Sequence, residues 1–170
     1  MTPSDVFSAD DFLNMAVEGV GSTIVTPIPA GTYLAVIGSD DNSIRFAAND
    51  RTDGKPGRYY MLSVTFDLVD DQGTIRAQID GRDPKHTESY FVDMIDAPGV
   101  RPQLDMGKGK NVKLNRLREA LGQNTGAPWQ PAMLRGAGPV QLQLGVQPDK
   151  KDKSTPRNYI KAVGQPGQKL

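Results

Sequence analysis

Cysteine is absent from the 170 residues, which excludes disulfides, thiolate nucleophiles and Cys-ligated zinc or iron–sulfur centres. Histidine occurs once, as His86, so a catalytic triad has one possible centre and a multi-histidine metal site has none. Apolar residues make up 37% and aromatics 6% of the chain, too few and too broken for a long helical bundle or coiled coil. No apolar run approaches the ~18–20 residues that span a bilayer. The opening Met1-Thr2-Pro3-Ser4-Asp5 lacks the cationic start and apolar core of a signal peptide, so a cytoplasmic protein is expected. Enzyme chemistry is poorly provided for, and neither a cofactor nor a metal is expected.

What is abundant is turn-forming residues and unevenly placed charge. Gly (18) and Pro (13) together make about 18% of the chain against a usual ~12%, which favours a β-rich domain with many turns. The formal net charge is zero, yet residues 1–100 hold 7 Lys/Arg against 16 Asp/Glu. Residues 101–170 hold 13 against 4. A balanced total split into −9 and +9 suggests a surface prepared for a polyanion. The other reading is that the halves pair strands and neutralise each other locally.

Along the chain, residues 1–26 form a peripheral segment. In it Ser8 caps a short helix running to Val17, with Asp10 and Asp11 in the first turn and Gly19 and Gly21 as stops. Thr26-Pro27-Ile28-Pro29 is an extended lead-in. Residues 32–37 predict a strand covered on both faces. Residues 39–58 form a long polar loop holding Arg45, Arg51, Lys55 and Arg58, of a length that is usually functional or disordered, with Phe46 and Ala47 tucking part of it down.

Residues 59–69 alternate, with Tyr60, Leu62, Val64, Phe66 and Leu68 facing the core and Tyr59, Met61, Ser63, Thr65 and Asp67 facing out. A turn at Asp70-Asp71-Gln72-Gly73 predicts that 74–80 returns as the partner strand, with Ile75, Ala77 and Ile79 inward and Arg76 and Gln78 outward. Residues 90–95 fit either a strand or the start of a helix, and 98–109 are punctuation. Leu114, Leu117 and Leu121 give 111–121 a helical stripe ending at Gly122. Trp129, in a Gly/Pro-rich stretch, is expected to cover the core, as are Tyr33 and Phe66. Val140, Leu142, Leu144 and Val146 mark another alternating strand, and 158–163 a last one. Between these lies a basic loop with Lys150, Lys151, Lys153 and Arg157. Residues 164–170 carry no pattern and predict a flexible tail.

The expected fold is therefore mainly β: a five-stranded OB-fold-like Greek-key barrel spanning 27–163, with one helix between strands three and four and a short N-terminal helix. An SH3-like barrel or small sandwich is the competing geometry. Such barrels bind nucleic-acid strands across strands two and three, between the loop after strand one and the loop between strands four and five. The candidate nucleic-acid-binding residues are Arg45, Arg51, Lys55, Arg58, Tyr59, Met61, Arg76, Gln78, Lys150, Lys151, Lys153 and Arg157. Cations at the loop margins follow phosphates and an exposed aromatic stacks on any base.

Each candidate has a plainer reading beside it. Tyr59 is either a stacking platform or a partly buried sheet residue. The three loop lysines also fit a solvated turn, and Lys108, Lys110, Lys113, Arg116 and Arg118 fit a solubilising helix face. His86 reads as a surface histidine. Asp70 and Asp71 read as turn formers rather than a metal pair, since adjacent side chains point apart.

Pro29-Ala30-Gly31-Thr32-Tyr33, the Tyr60–Phe66 strand, Glu119-Ala120-Leu121-Gly122 and Arg157-Asn158-Tyr159-Ile160-Lys161 together resemble bacteriophage single-stranded DNA-binding proteins of the OB-fold type. The resemblance covers about residues 27–163. It implies a protein that protects single-stranded DNA, with little sequence preference, during phage replication, recombination and repair. It also implies replication or recombination proteins as partners, and a monomer or small homo-oligomer. Such proteins often end in an acidic recruiting tail. This chain ends Gln165-Pro166-Gly167-Gln168-Lys169-Leu170 with no acid, and the acidic residues Asp5, Asp10, Asp11 and Glu18 at the other end are the substitute. RNA in place of DNA stays open. Two other classes remain: a phage structural or assembly protein using the barrel as an interaction platform, and a hydrolase with paired carboxylates, for which no pair stands out.

Overall fold

A computed structural model describes residues 7–170; Asp5 and the start of the acidic segment lie outside them. Helix α1 (Ala9–Leu13) begins with a reciprocal capping box, in which Ser8 Oγ accepts from the Asp11 N–H at 3.1 Å and Asp11 Oδ2 accepts from the Ser8 N–H at 2.9 Å. It stops well short of Val17. None of its side chains is buried, and five residues supply too few hydrogen bonds to extend an unpacked helix.

The expected strand at 32–37 is β1 (Gly31–Ile37), but it is covered on one face only. Ala35 and Ile37 are buried while Leu34 stays 42% exposed. The long polar loop is largely a strand, β2 (Ile44–Asp50). Both β1 and β2 pair with the same edge of β3 (Arg58–Leu68), through Ala35↔Leu68 to Ile37↔Phe66 and then Ile44↔Val64 to Asp50↔Arg58. They are one long strand interrupted by a side-loop at 38–43. Thr65 closes that side-loop, accepting from the Gly38 N–H at 3.1 Å and donating to the Ser43 carbonyl at 2.9 Å. A Cβ on Gly38 would sit 2.1 Å from Ser43 Oγ, so the pinch needs glycine. The sequence hid this strand because its polar residues face solvent.

β3 keeps the expected alternation, with Leu62, Val64, Phe66 and Leu68 all buried. The returning hairpin strand, however, is helix α2 (Thr74–Gln78). Asp70 causes this. Its carboxylate accepts the N–H groups of Ile75 and Arg76, each at 2.9 Å, capping a first turn whose donors are otherwise unpaired. Ile75 and Ile79, four apart, share the buried face, and Ala77 is exposed. The strand that pairs β3 is instead β4 (Lys85–Val92), from Asp67↔Lys85 to Tyr60↔Val92.

A small ribbon of β5 (Met94–Ile95) and β6 (Gln103–Leu104) follows, so residues 90–95 are strand rather than helix. Helix α3 (Val112–Ala120) buries Leu114 and Leu117 as expected, with Leu121 as its cap residue packed against the core. Its start is pinned by Asn111, which accepts the Asp93 N–H at 2.8 Å and donates its own N–H to Asp93 Oδ2 at 2.9 Å. A 3-10 turn (Pro131–Leu134) then leads to β7 (Val140–Pro148) and β8 (Pro156–Gly164), which pair with each other. The tail is tied back through Gln141, which donates to the Gln168 carbonyl and accepts from the Gly167 N–H, both at 2.8 Å.

The main sheet runs β2-β3-β1-β7-β8, with β4 on the other edge of β3. It is an antiparallel, open sheet and not the closed barrel expected. Among the described residues β4 and β8 share no ladder pairing, although they touch, and α3 packs against both. One side chain crosses the seam: Glu88 Oε2 accepts from the Ile160 N–H at 3.0 Å and contacts His86 Nε2 at 2.7 Å. His86 is consequently buried at 8% exposure, against the surface reading. The core lies between the concave sheet and α2, α3 and the 3-10 turn, centred on Phe66, Leu117, Leu134 and Leu142.

Candidate nucleic-acid interface

Side chains alternate across a strand, so the residues opposite the core on β2, β3 and β4 share the outer face. The register fixes their neighbours. Met61 lies opposite Ala47 on one side and Phe91 on the other, and Tyr59 lies opposite Asn49. Tyr59 is diagonal to Phe91, and their rings meet at 6.1 Å between centroids with planes at 58°. Phe91 is 69% exposed, while Tyr59 and Met61 are half-buried. An aromatic pair with one ring exposed and one half-buried, and a thioether beside it, is an apolar platform on an otherwise polar face, which continues through Ser63/Ser89 and Thr65/Thr87. Phe91 was not among the site residues expected from the sequence. Only the true β3–β4 register places it beside Met61, and the expected hairpin paired β3 with 74–80 instead.

The predicted cations divide into groups. Arg45 projects from β2 on this outer face, opposite Ser63, and is exposed. Arg51, Lys55 and Arg58 surround the β2–β3 turn beyond the platform. Two of them have local partners: Arg51 pairs with Asp53 at 2.7 Å and Arg58 with Asp50 at 3.5 Å. The Arg51 hydrogen bond pulls the Asp53 carboxyl down to a pKa of about 2. The adjoining cleft of about 360 Å³ also contains Asp93, Asp96 and Asp105. Tyr60 donates its hydroxyl to Asp96 there, so the upper edge of the platform is not uniformly basic.

Arg76 and Gln78 do not belong to this face. They sit on α2, which follows the opposite end of β3, and Arg76 pairs with Asp83 at 2.9 Å. About nine strand positions separate Tyr59 from that end, roughly 30 Å at 3.3 Å per residue.

Lys150, Lys151 and Lys153 are exposed on the β7–β8 loop. Stacked aspartate turns shape that loop. Asp149 Oδ1 accepts the Lys151 N–H at 2.8 Å, and Asp152 Oδ1 accepts the Ser154 N–H at 3.1 Å. The amides of Lys151 and Asp152 hold the Asp149 carboxyl below its ordinary pKa. Arg157 follows, half-buried with an unpartnered Nε. The β1–β7 register puts this loop beyond the N-terminal end of β1, whereas the β2–β3 turn lies beyond the far end of β2. Among the described residues no hydrogen bond or ion pair joins the two loops.

All ion pairs among the described residues fall between positions 50 and 88. None joins the acidic half of the chain to the basic half, so the basic half keeps its charge. Arg118 is the exception to the expected solubilising helix face. It is buried at 4% exposure under Trp129, 4.3 Å from the ring centroid, and burial lowers its pKa. Trp129 is half-buried against the core. Among the described residues no cluster of three or more metal-ligating side chains occurs, and no helix is long and apolar enough to cross a membrane.

Comparison with known proteins gave no match: no family model, no curated protein sequence and no solved structure is significantly similar to the chain.

Proposed function

We propose that this chain binds single-stranded DNA with little sequence preference, by base stacking on Tyr59, Met61 and Phe91 and by phosphate neutralisation on surrounding cations. The observation that carries the reading is the Tyr59–Phe91 pair on the outer face of β3 and β4, with Phe91 exposed and Tyr59 half-buried, and with Arg45 on the same face in no ion pair among the described residues. Aromatic faces accept any base, and cations at the margin hold the backbone without reading sequence. A duplex reader would instead send a helix or ribbon into a groove.

On this reading the fold is an OB-type variant. β1 and β2 together form its first strand, β3 and β4 its second and third, and β7 and β8 its last two, with Glu88 standing in for strand closure. A bound strand crosses the platform from the β2–β3 turn toward Lys150, Lys151 and Lys153, and Lys55 takes phosphate at the first of these margins. The setting is that of a phage protein acting in the host cytoplasm, protecting DNA during replication, recombination and repair, with no catalytic step and no cofactor.

Fluorescence titration with poly-dT, poly-U and duplex DNA at two salt concentrations tests this. The expected order is poly-dT tightest and duplex weakest, with log K falling linearly against log salt. Equal weak binding to all three, or none, overturns the reading in favour of a protein-interaction platform.

A further inference from the structure

The platform uses one face of the β2–β3–β4 end of the sheet; the opposite face there is apolar and only partly covered. The layer that buries the lower halves of these strands covers Phe46 and Tyr60, on the core-facing side, only in part, with Leu114 of α3 and Pro131 of the 3-10 turn across a groove from Phe46. Phe46 and Tyr60 stack on each other at 5.8 Å, and Phe46 remains 59% exposed. With Leu62, Val92, Leu104 and Ala132, Phe46 bounds this groove of about 500 Å³, whose lining is mostly apolar, with Arg135 as its one charged group. Arg135 makes no ion pair among the described residues.

At the other end of the chain is a segment of matching chemistry. Every residue from 7 to 25 is exposed, including Phe12, Leu13, Met15 and Val17 at 50–81%. Asp10, Asp11 and Glu18 are its charges, and no Lys or Arg precedes Arg45. Its first turn is already fixed by the Ser8–Asp11 capping box, so part of the ordering cost of binding is met in advance. A five-residue helix with an apolar face is held by what it packs on, and here nothing covers it.

We infer that the acidic, apolar arm around Phe12 and Leu13 docks into the Phe46–Leu104–Ala132 groove of a second copy of the chain, with Asp10 and Asp11 facing Arg135. A second copy is the occupant because the exposed apolar and acidic side chains of the arm match the apolar lining and the Arg135 of the groove, and among the described residues no arm residue lines the groove of its own chain. Two arms exchanged about a two-fold axis fill both grooves at once, an isologous contact that closes on itself. The groove lies on the opposite face of the sheet from the platform, so the inference does not depend on the DNA-binding reading.

The cysteine-free chain allows a direct test. Leu13→Cys in one preparation and Ala132→Cys in another, mixed under mild oxidation, should give a disulfide-linked dimer. Adding Phe12→Ser to the first, at an exposed position that leaves the fold intact by circular dichroism, should reduce that product about tenfold or more. Light scattering on the unaltered protein should show a concentration-dependent dimer that the same Phe12→Ser substitution dissociates. Cross-linking no greater than for a control pair of Leu13→Cys with Lys151→Cys overturns the inference. So does a doubly substituted chain that closes its disulfide only within itself at every concentration.

Discussion

The two halves of β3 share one alternation and end in different circumstances. From Val64 to Leu68 the inward residues are 0–5% exposed beneath α2, α3 and β7. From Arg58 to Tyr60 the same alternation continues, but the second layer thins out. Tyr60 is half-buried, and the aromatics nearby stack on one another instead of on a core. A period-two pattern states which side chains share a face; whether that face is covered depends on elements far away in the chain. The lower half is therefore the part whose residues set stability. The upper half can lose side chains with little effect on the fold, as the proposed binding role requires.

The strongest test of this division is Phe66→Ala in the lower half. Phe66 is fully buried, and its removal should destabilise the protein by about 3–5 kcal/mol in urea unfolding. A loss below ~1 kcal/mol would mean that the covered half is not the stabilising one.

Tyr59→Ala and Phe91→Ala in the upper half should do the reverse. Each is expected to weaken poly-dT binding by about 1–3 kcal/mol while the urea midpoint stays close to that of the parent. Unchanged affinity in both variants, with the fold intact, would remove the stacking assignment and leave the platform as ordinary sheet surface.

How much of this division was legible in the sequence follows from which residues carried it. The inward set of β3, and of β7 as far as Leu144, was readable because a strand with one buried face must alternate, while Val146, expected in the same set, is 41% exposed; α3 was readable because three leucines fall on one stripe. Residues 74–80 misled because Ile75 and Ile79 satisfy both periods: two steps of a strand pair or one turn of a helix. What decides between them is Asp70 accepting two amides, which a turn-forming aspartate does not announce. β2 was hidden because its outer residues, such as Arg45 and Asn49, are as polar as a loop. Phe91 was visible as an aromatic but could not be assigned to the site, since its neighbour Met61 depends on a pairing across about thirty residues.

A smaller effect should come from the cations outside the platform. Replacing Lys150, Lys151 and Lys153 together by Ala should lessen the slope of log K against log salt by about 2, at ~0.7 per phosphate contact on a single strand. Replacing Arg51 and Arg58 by Gln should alter it less per residue, because Asp53 and Asp50 already engage those guanidinium groups. An unaltered slope in the triple variant would exclude the β7–β8 loop from the path of the strand.

The smallest expected effect probes the cover of the lower half through its pH dependence. Amides of Arg76 and Ile75 hold the Asp70 carboxyl below its ordinary pKa, with the Arg76 hydrogen bond the largest cause. A carboxyl whose pKa is depressed by folding adds stability above its unfolded value, about 4, and loses it as pH falls through the lowered folded value. Asp70→Ala should therefore destabilise the protein slightly at neutral pH, by leaving the first turn of α2 uncapped. Below about pH 4 the parent should lose stability faster than the variant, so that the two unfolding curves converge. Because α2 contributes Ile75 and Ile79 to the covered half and nothing to the platform, poly-dT affinity at neutral pH should not change. Curves that stay parallel into acid would show that Asp70 does not hold α2 over the sheet. Reduced poly-dT affinity in the folded variant would show that the two halves of β3 are coupled.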